Sequence, residues 1–273
     1  MGPIKSLYIL VYYDSAPSFA HLFIMCHRIS VAFAVALVCA SPALAAELTV
    51  SAAASLSNAL REIAAAWESQ NPGDEVLLNF AASGTLLQQI DKGAPVDVLA
   101  TADGETMDRA QQKKLIDAAE RRTFARNELV VVVPTASKHA HKGLGDLRSE
   151  AIRRIAVGDP RSVPAGRYAQ KALASDGSWD TLQAKWIRAQ SVRQVLDYVA
   201  RGEVDAGFVY ATDAAVAGDR VRIAFSVPLE EPVLYPVAPT ATAGNPDGAR
   251  SFITFLTSEQ GREILARFGF AKP

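Results

Sequence analysis

Thiols are scarce in this sequence, and the few present lie at one end of it. The 273 residues include two cysteines, Cys26 and Cys39. Histidine is also rare, and beyond residue 45 only His139 and His141 occur, in a polar stretch that predicts a loop. Residues 46–273 therefore hold no disulfide framework, no cysteine–metal site and no cysteine nucleophile.

The chain also lacks an excess of charge of either sign. Its formal net charge is −1, with 21% charged and 49% hydrophobic residues. A general nucleic-acid-binding protein needs a basic face to neutralise phosphates, so the near-neutral charge argues against this class. At about 150 residues per domain, the length predicts one large domain or two lobes, with a core that needs no metal or disulfide.

The N-terminal 45 residues have the pattern of a secretory leader. His27 and Arg28 precede an apolar run at 29–40, and Ala43-Leu44-Ala45 follows. A short positive segment, about a dozen apolar residues and an A-x-A site are typical of a cleavable signal peptide. The alternative is a membrane anchor, but the run is shorter than the roughly 20 residues that a spanning helix needs. We expect export, cleavage after Ala45 and no stable membrane insertion afterwards, with Met25 as an alternative start.

Strand and helix patterns alternate along the rest of the chain. Strands are expected at 48–50, 75–80 and 96–100, with helices beginning after each, and the alternation restarts at 129–133. Further strands are expected at 155–157, 207–210, 221–227 and 234–238. This alternation predicts an α/β fold of two lobes with a cleft between them, each lobe a mixed, mostly parallel sheet flanked by helices. We place lobe I at 46–127 plus 212–273 and lobe II at 128–211.

Several strand-to-helix junctions carry small, neutral residues that donate hydrogen bonds. They include Ser55, Ser83-Gly84-Thr85 and Ala165-Gly166. Ligands of parallel α/β sheets bind at such junctions, and the free N–H groups of a helix N-terminus suit an anion. Lys and Arg are absent from the first two junctions, which favours binding by neutral donors.

Each candidate also has a plain structural interpretation. Ser55 stands where a helix N-cap is expected, and Ser83 fits a turn followed by a cap. Val192 fits a packing residue of an amphipathic helix, and Tyr210 a half-buried aromatic residue at a strand end. Four such sites in two lobes, behind an export signal, favour a binding cleft.

Ordered motifs along 47–273 give this chain a family resemblance. They are Ala52-Ala53-Ala54-Ser55-Leu56, Phe80-Ala81-Ala82-Ser83-Gly84-Thr85-Leu86, Gly93-Ala94-Pro95-Val96-Asp97, Val157-Gly158-Asp159-Pro160, Val163-Pro164-Ala165-Gly166, Gly207-Phe208-Val209-Tyr210 with Asp213-Ala214, Tyr235-Pro236-Val237-Ala238 and Phe268-Gly269-Phe270. In this order and spacing the chain resembles the molybdate-binding proteins of molybdate ABC transporters, which have the type II periplasmic-binding-protein fold.

The resemblance implies a tetrahedral oxyanion held between two lobes without a charged side chain. Ser55 and Ser83 would bind it through hydroxyl and backbone N–H groups, Ala165 and Val192 through backbone N–H groups, and Tyr210 through its phenol. Molybdenum would be bound only as the oxyanion. The implied protein is a periplasmic monomer without catalytic residues or cofactor, which delivers molybdate or tungstate to a membrane permease and its cytoplasmic ATPase.

Three alternatives stay open on the sequence. The same fold could bind sulfate, thiosulfate or another tetrahedral oxyanion. An exported hydrolase with Ser55 or Ser83 as nucleophile would need an adjacent base, and neither serine lies in a G-x-S-x-G elbow. An interaction protein with this fold would show no stabilisation by any anion.

Overall fold

The computed structural model describes residues 47–138 and 141–273, which form two five-stranded sheets. The predicted signal peptide and His139 lie outside the described residues. In the first sheet the strand order is β2-β1-β3-β10-β4, and in the second it is β7-β6-β8-β5-β9. The strands are β1 Glu47–Ala53, β2 Glu75–Ala81, β3 Val98–Ala100, β4 Arg122–Asn127, β5 Leu129–Pro134, β6 Ile155–Gly158, β7 Trp186–Ala189, β8 Ala206–Tyr210, β9 Val221–Ser226 and β10 Val233–Pro239.

Both sheets have one reversed strand in the same place. β1 pairs parallel with β2 and β3, whereas β10 is antiparallel to both β3 and β4. In the second sheet β6 pairs parallel with β7 and β8, and β5 is antiparallel to both β8 and β9. The predicted α/β fold with mixed, mostly parallel sheets is therefore confirmed.

Helices connect the strands and cover the sheets. They are α1 Ser57–Glu68, α2 Ser83–Asp91, α3 Gly104–Gln112, α4 Pro164–Ser175, α5 Ser178–Thr181, α6 Val192–Ala200, α7 Ala211–Ala217, α8 Pro246–Thr257 and α9 Glu259–Arg267. Capping residues fix several of the starts. Asp103 accepts a hydrogen bond from the N–H of Thr106 at the start of α3, and Ser191 accepts one from Gln194 at the start of α6.

Apolar periodicity determines which face of each helix is buried. In α1, Leu60, Ile63 and Trp67 recur at helical spacing and are at most 1% exposed. The Trp67 ring meets the ring of Phe252 in α8 edge-on, with 6.0 Å between centroids. In the second sheet, β5 is a continuous Leu/Val run because it is covered on both faces. The C-terminal helices thus pack on the first sheet. We call the first sheet with its helices the first lobe, and the second sheet with its helices the second lobe.

The second lobe extends further along the chain than expected. We predicted its end at residue 211, but β9 pairs with β5 in the second sheet, from Val130↔Ser226 to Pro134↔Val221. The chain therefore returns to the first sheet after Ser226. The sequence of β9 could not identify its partner sheet, because a largely exposed edge strand looks alike on either sheet. The outward crossing is short, since Glu128 alone separates β4 from β5.

Candidate oxyanion site

The five residues predicted to bind the oxyanion all lie where a strand gives way to a helix. Ser83 and Val192 are the first residues of α2 and α6, Ala165 is the second residue of α4, and Tyr210 ends β8. Ser55 lies in a 3-10 turn between β1 and α1. All five are buried, with at most 4% exposure. The first N–H groups of these helices have no partner within the helix, so they can donate to a ligand.

The two serines do not cap their helices, contrary to the simpler interpretation. α1 begins at Ser57 with Leu56 as its N-cap, and α2 begins at Ser83 with Ala82 as its N-cap, neither with a side-chain cap. The Ser55 Oγ lies 3.0 Å from the Tyr235 Oη, and the Ser83 Oγ accepts from the N–H of Ala102 at 3.1 Å. A small polar residue near a helix start cannot be told apart from a cap by sequence, because each of these serines lies one position from the actual N-cap.

These contacts prepare the serine hydroxyls to donate. The Ser83 oxygen already accepts the Ala102 N–H, so its proton is available to another acceptor. The Tyr235 oxygen accepts from the Asn127 Nδ2 at 3.2 Å, which leaves the Tyr235 proton for the Ser55 oxygen. The proton of Ser55 is then also available. The hydrogen-bond partners of the two hydroxyls, the Tyr235 hydroxyl and the Ala102 N–H, are not general bases. This arrangement does not favour either serine as a nucleophile.

Tyr210 joins the second lobe to the first. Its hydroxyl donates to the carbonyl of Ala102 at 3.4 Å, and its ring packs edge-on against Tyr235 with 5.8 Å between centroids. Burial raises the pKa of both phenols well above the ordinary value, so both stay protonated. Ala102 thereby links Tyr210 to Ser83, and Tyr235 links Tyr210 to Ser55.

Two glycines allow close backbone contacts around the N-terminus of α4, one with the first lobe and one within the second lobe. The N–H of Gly84 donates to the carbonyl of Ser162 at 2.9 Å, and a Cβ on Gly84 would lie 2.8 Å from the Ser162 backbone. A Cβ on Gly166 would lie 2.0 Å from the Gly158 carbonyl oxygen. Only glycine fits at either place. Ala165 therefore lies in a segment held against the N-terminus of α2, which carries Ser83.

Two arginines lie next to predicted ligand residues, and each is paired with a buried aspartate. The Arg167 Nη2 lies 2.6 Å from the Asp103 Oδ2, and the Arg193 Nε lies 2.7 Å from the Asp213 Oδ1. Asp103 and Asp213 are 3% and 0% exposed. Each pair has no net charge, so the surroundings agree with binding by neutral donors. Sequence reasoning missed both pairs, as well as Tyr235 and Ala102.

A groove of about 490 Å³ lies beside this cluster. It is lined by residues of both lobes and of the segment that returns from the second lobe to the first, among them Asp103, Arg167, Tyr168, Lys171, Glu231 and Leu234. Burial, and secondarily the negative charge of Asp103, raises the pKa of the Tyr168 phenol above its ordinary value. Within 47–138 and 141–273, no group of three or more His, Cys, Asp or Glu side chains could hold a metal ion.

Comparison with known proteins identifies the family. The model of the bacterial extracellular solute-binding proteins matches residues 48–271. This chain belongs to that family. The molybdate-binding protein ModA of Escherichia coli is 41% identical over 229 residues, which are 82% of this chain and 88% of the relative. ModA of Haemophilus influenzae is 35% identical over 250 residues, 89% of this chain and 97% of the relative. The predicted resemblance is confirmed.

Solved structures of solute-binding proteins agree with the fold. The substrate-binding domain of a molybdenum ABC transporter protein from Clostridium difficile matches with a TM-score of 0.64 and 34% identity, covering 84% of this chain and all of that one. The sulfate-binding protein SubI of Mycobacterium tuberculosis matches with a TM-score of 0.74 at 18% identity, covering 83% and 87%. At that identity the likeness concerns the fold alone and does not identify the anion. No helix within the described part of this solute-binding protein is long and apolar enough to cross a membrane.

Proposed function

We propose that this solute-binding protein captures molybdate, and also tungstate, in the cleft between its lobes. The observation that carries the proposal is the network that connects Ser55, Ser83 and Tyr210 through Tyr235 and Ala102. Hydrogen bonds of the neighbouring residues Ser162 and Arg193 with the first lobe support placing Ala165 and Val192 at the same site. The relatives named molybdate-binding protein support molybdate over other oxyanions.

The proposed ligand contacts are neutral donors. Ser55 and Ser83 would donate through hydroxyl and backbone N–H groups, and Ala165 and Val192 through N–H groups. Tyr210 would donate through its phenol, whose proton would turn from the Ala102 carbonyl to the anion. Hydrogen bonds to a charged group contribute roughly 1.5–3 kcal/mol each, so a handful gives on the order of 10 kcal/mol before the costs of desolvation and closure. Micromolar to nanomolar affinity follows.

Selectivity follows from the same arrangement. Protonated phosphate needs an acceptor, so a site of donors disfavours it. Sulfate has the charge and shape of molybdate, so it is distinguished only by the size of the cavity. Tungstate is nearly the same size as molybdate, and we expect little discrimination between the two.

We further infer that the protein acts in the periplasm as a monomer without catalytic activity. It would release its anion to a membrane permease driven by a cytoplasmic ATPase, as the transporter context of its relatives supports. The lobes would close on the anion by a hinge motion of the two crossing segments.

Thermal unfolding with a panel of anions tests this proposal. A ligand at one hundred times its Kd stabilises the folded state by about 2.7 kcal/mol, which is roughly 5–10 °C for a chain of this size. We expect this shift with molybdate and tungstate, and none with equal concentrations of sulfate or phosphate. A shift with sulfate alone would favour the same fold with another oxyanion, and no shift with any anion would favour an interaction protein.

A further inference from the structure

One guanidinium beside the proposed anion site contacts both lobes. Arg193 lies in the first turn of α6, directly after Val192. Its Nη2 donates to the carbonyl oxygen of Ser55 in the first lobe at 3.2 Å, and its Nε lies 2.7 Å from the Asp213 Oδ1 in the second lobe. The Arg193 side chain therefore joins the segment of Ser55 to the segments of Val192 and Asp213.

Asp213 extends this connection to Tyr210. Its Oδ2 accepts a hydrogen bond from the backbone N–H of Tyr210 at 3.2 Å, at the start of α7. The side chain is completely buried, and a buried carboxylate is costly unless it is paired. Arg193, with 21% of its side chain exposed, supplies the opposite charge. Three of the five proposed ligand residues are thus adjacent to, or bonded to, this one ion pair.

The geometry separates two roles of Arg193. The contact with Asp213 lies within the second lobe and does not require closure. The bond to Ser55 crosses between the lobes and requires that they be close. A planar guanidinium presents donors in several directions, whereas a lysine ammonium is a compact charge on one nitrogen. One lysine nitrogen cannot occupy the positions of both Nε and Nη2.

We propose that Arg193 is a positioning residue for the anion site. With Asp213 it orders Val192 and Tyr210 within the second lobe, and through the Ser55 carbonyl it holds the closed lobes together and slows release of the anion. The inference rests on the proposed function, since it concerns the same site. It assigns to Arg193 no direct contact with the anion.

The variant R193K tests the proposal because it keeps the charge beside Asp213 and loses the bond between the lobes. We expect the ligand-free melting temperature to stay at the wild-type value. We expect the Kd for molybdate to rise about tenfold, the equivalent of one hydrogen bond to a charged donor, through faster dissociation in stopped-flow fluorescence. The matched control is R201K, because Arg201 follows the other end of α6 and makes an exposed 3.8 Å contact with Glu203.

A second variant keeps the proposal testable if R193K is too unstable to titrate. R193M/D213N removes both charges together, and the asparagine still offers an acceptor to the Tyr210 N–H. The same increase in dissociation rate is expected from it.

The outcomes separate the two proposals. A wild-type dissociation rate in R193K, or in the double variant, would overturn the role of Arg193 and leave the proposed function intact. A lowered melting temperature of ligand-free R193K together with unchanged dissociation would show a purely structural pair, and would also overturn it. Wild-type protein that does not bind molybdate would instead overturn the proposed function.

Discussion

Asp103 and Arg167, which are 64 positions apart in the sequence, form a buried two-point contact between the lobes. The Asp103 Oδ2 accepts from the Arg167 Nε at 2.9 Å and from its Nη2 at 2.6 Å. Arg167 also donates to the Thr106 hydroxyl and to the carbonyl of Pro160. This contact can exist only when the lobes are close, so it contributes to the closed form and not to either lobe alone.

The variant D103N removes the ion pair with Arg167 and keeps the side-chain cap of α3. Asparagine caps a helix as well as aspartate does, so the bond to the Thr106 N–H is kept. The Arg167 guanidinium then keeps the Glu105 carboxylate at 3.6 Å, together with the Thr106 hydroxyl and the Pro160 carbonyl. We expect the affinity for molybdate to fall at least tenfold, with little change in the melting temperature of the ligand-free protein. Small-angle scattering would show that more molybdate is needed to reach the compact form.

D176N is the matched control for D103N. Asp176 forms an exposed pair with Arg148 at 3.7 Å within the second lobe, and exposed pairs contribute at most about 1 kcal/mol. Its titration should match that of the wild type. Equal affinity in D103N and D176N would contradict the importance of the pair between the lobes.

Y210F removes one phenol and keeps the ring that packs on Tyr235. Loss of a hydrogen bond to a charged ligand costs roughly 1.5–3 kcal/mol, so we expect the Kd for molybdate to rise at least tenfold. The control is Y198F, because the Tyr198 hydroxyl accepts from Gln194 on the outer part of the same lobe. Calorimetric titration distinguishes the two, and unchanged affinity in Y210F would remove Tyr210 from the ligand set.

G84A tests the close approach of α2 to the second lobe. A methyl group there would lie 2.8 Å from the Ser162 backbone, so the lobes could not close fully. Because residue 84 is helical, alanine does not strain the first lobe by itself. We expect weaker molybdate binding with an unchanged ligand-free melting temperature. G104A is the control, since its added Cβ would be 3.7 Å from the nearest atom, an ordinary contact.

Burial raises the pKa of the Asp213 carboxyl from 3.8 to about 6, although Arg193 and the Tyr210 N–H oppose the shift. The folded state therefore binds a proton more tightly than the unfolded state between these values. The contribution of the Asp213 carboxyl to the free energy of unfolding therefore increases as the pH falls from about 6 to about 4. It decreases as the pH rises through the same range. The free energy of unfolding of the wild type, relative to D213N, should therefore increase on acidification. A difference that is constant across this pH range would contradict the assignment.

The sequence was sufficient to predict the elements that carry the candidate site. The alternating pattern correctly predicted a helix after each of β1, β2 and β3. The junctions at Ser83 and Ala165 were recognisable because small residues stand where a strand pattern becomes a helical one. These helix positions and junctions depend on neighbouring residues in the sequence, so the sequence alone is enough to predict them.

What the sequence could not predict depends on distant partners. β4 and β7 were missed because they are edge strands whose exposed residues show little apolar pattern. The pairs Arg167–Asp103 and Arg193–Asp213 join residues that no local spacing connects. Tyr235 was part of a recognised motif, yet its contact with Ser55 spans 180 positions and needs the folded chain.

Titration calorimetry of the anion-stripped protein, beginning at residue 46, tests the central claim most directly. Molybdate, tungstate, sulfate and phosphate would be titrated in turn. We predict tight one-to-one binding of molybdate and tungstate, and no comparable heat from sulfate or phosphate. Binding of sulfate or phosphate in preference to molybdate, or no heat from any of the four anions, would contradict the account.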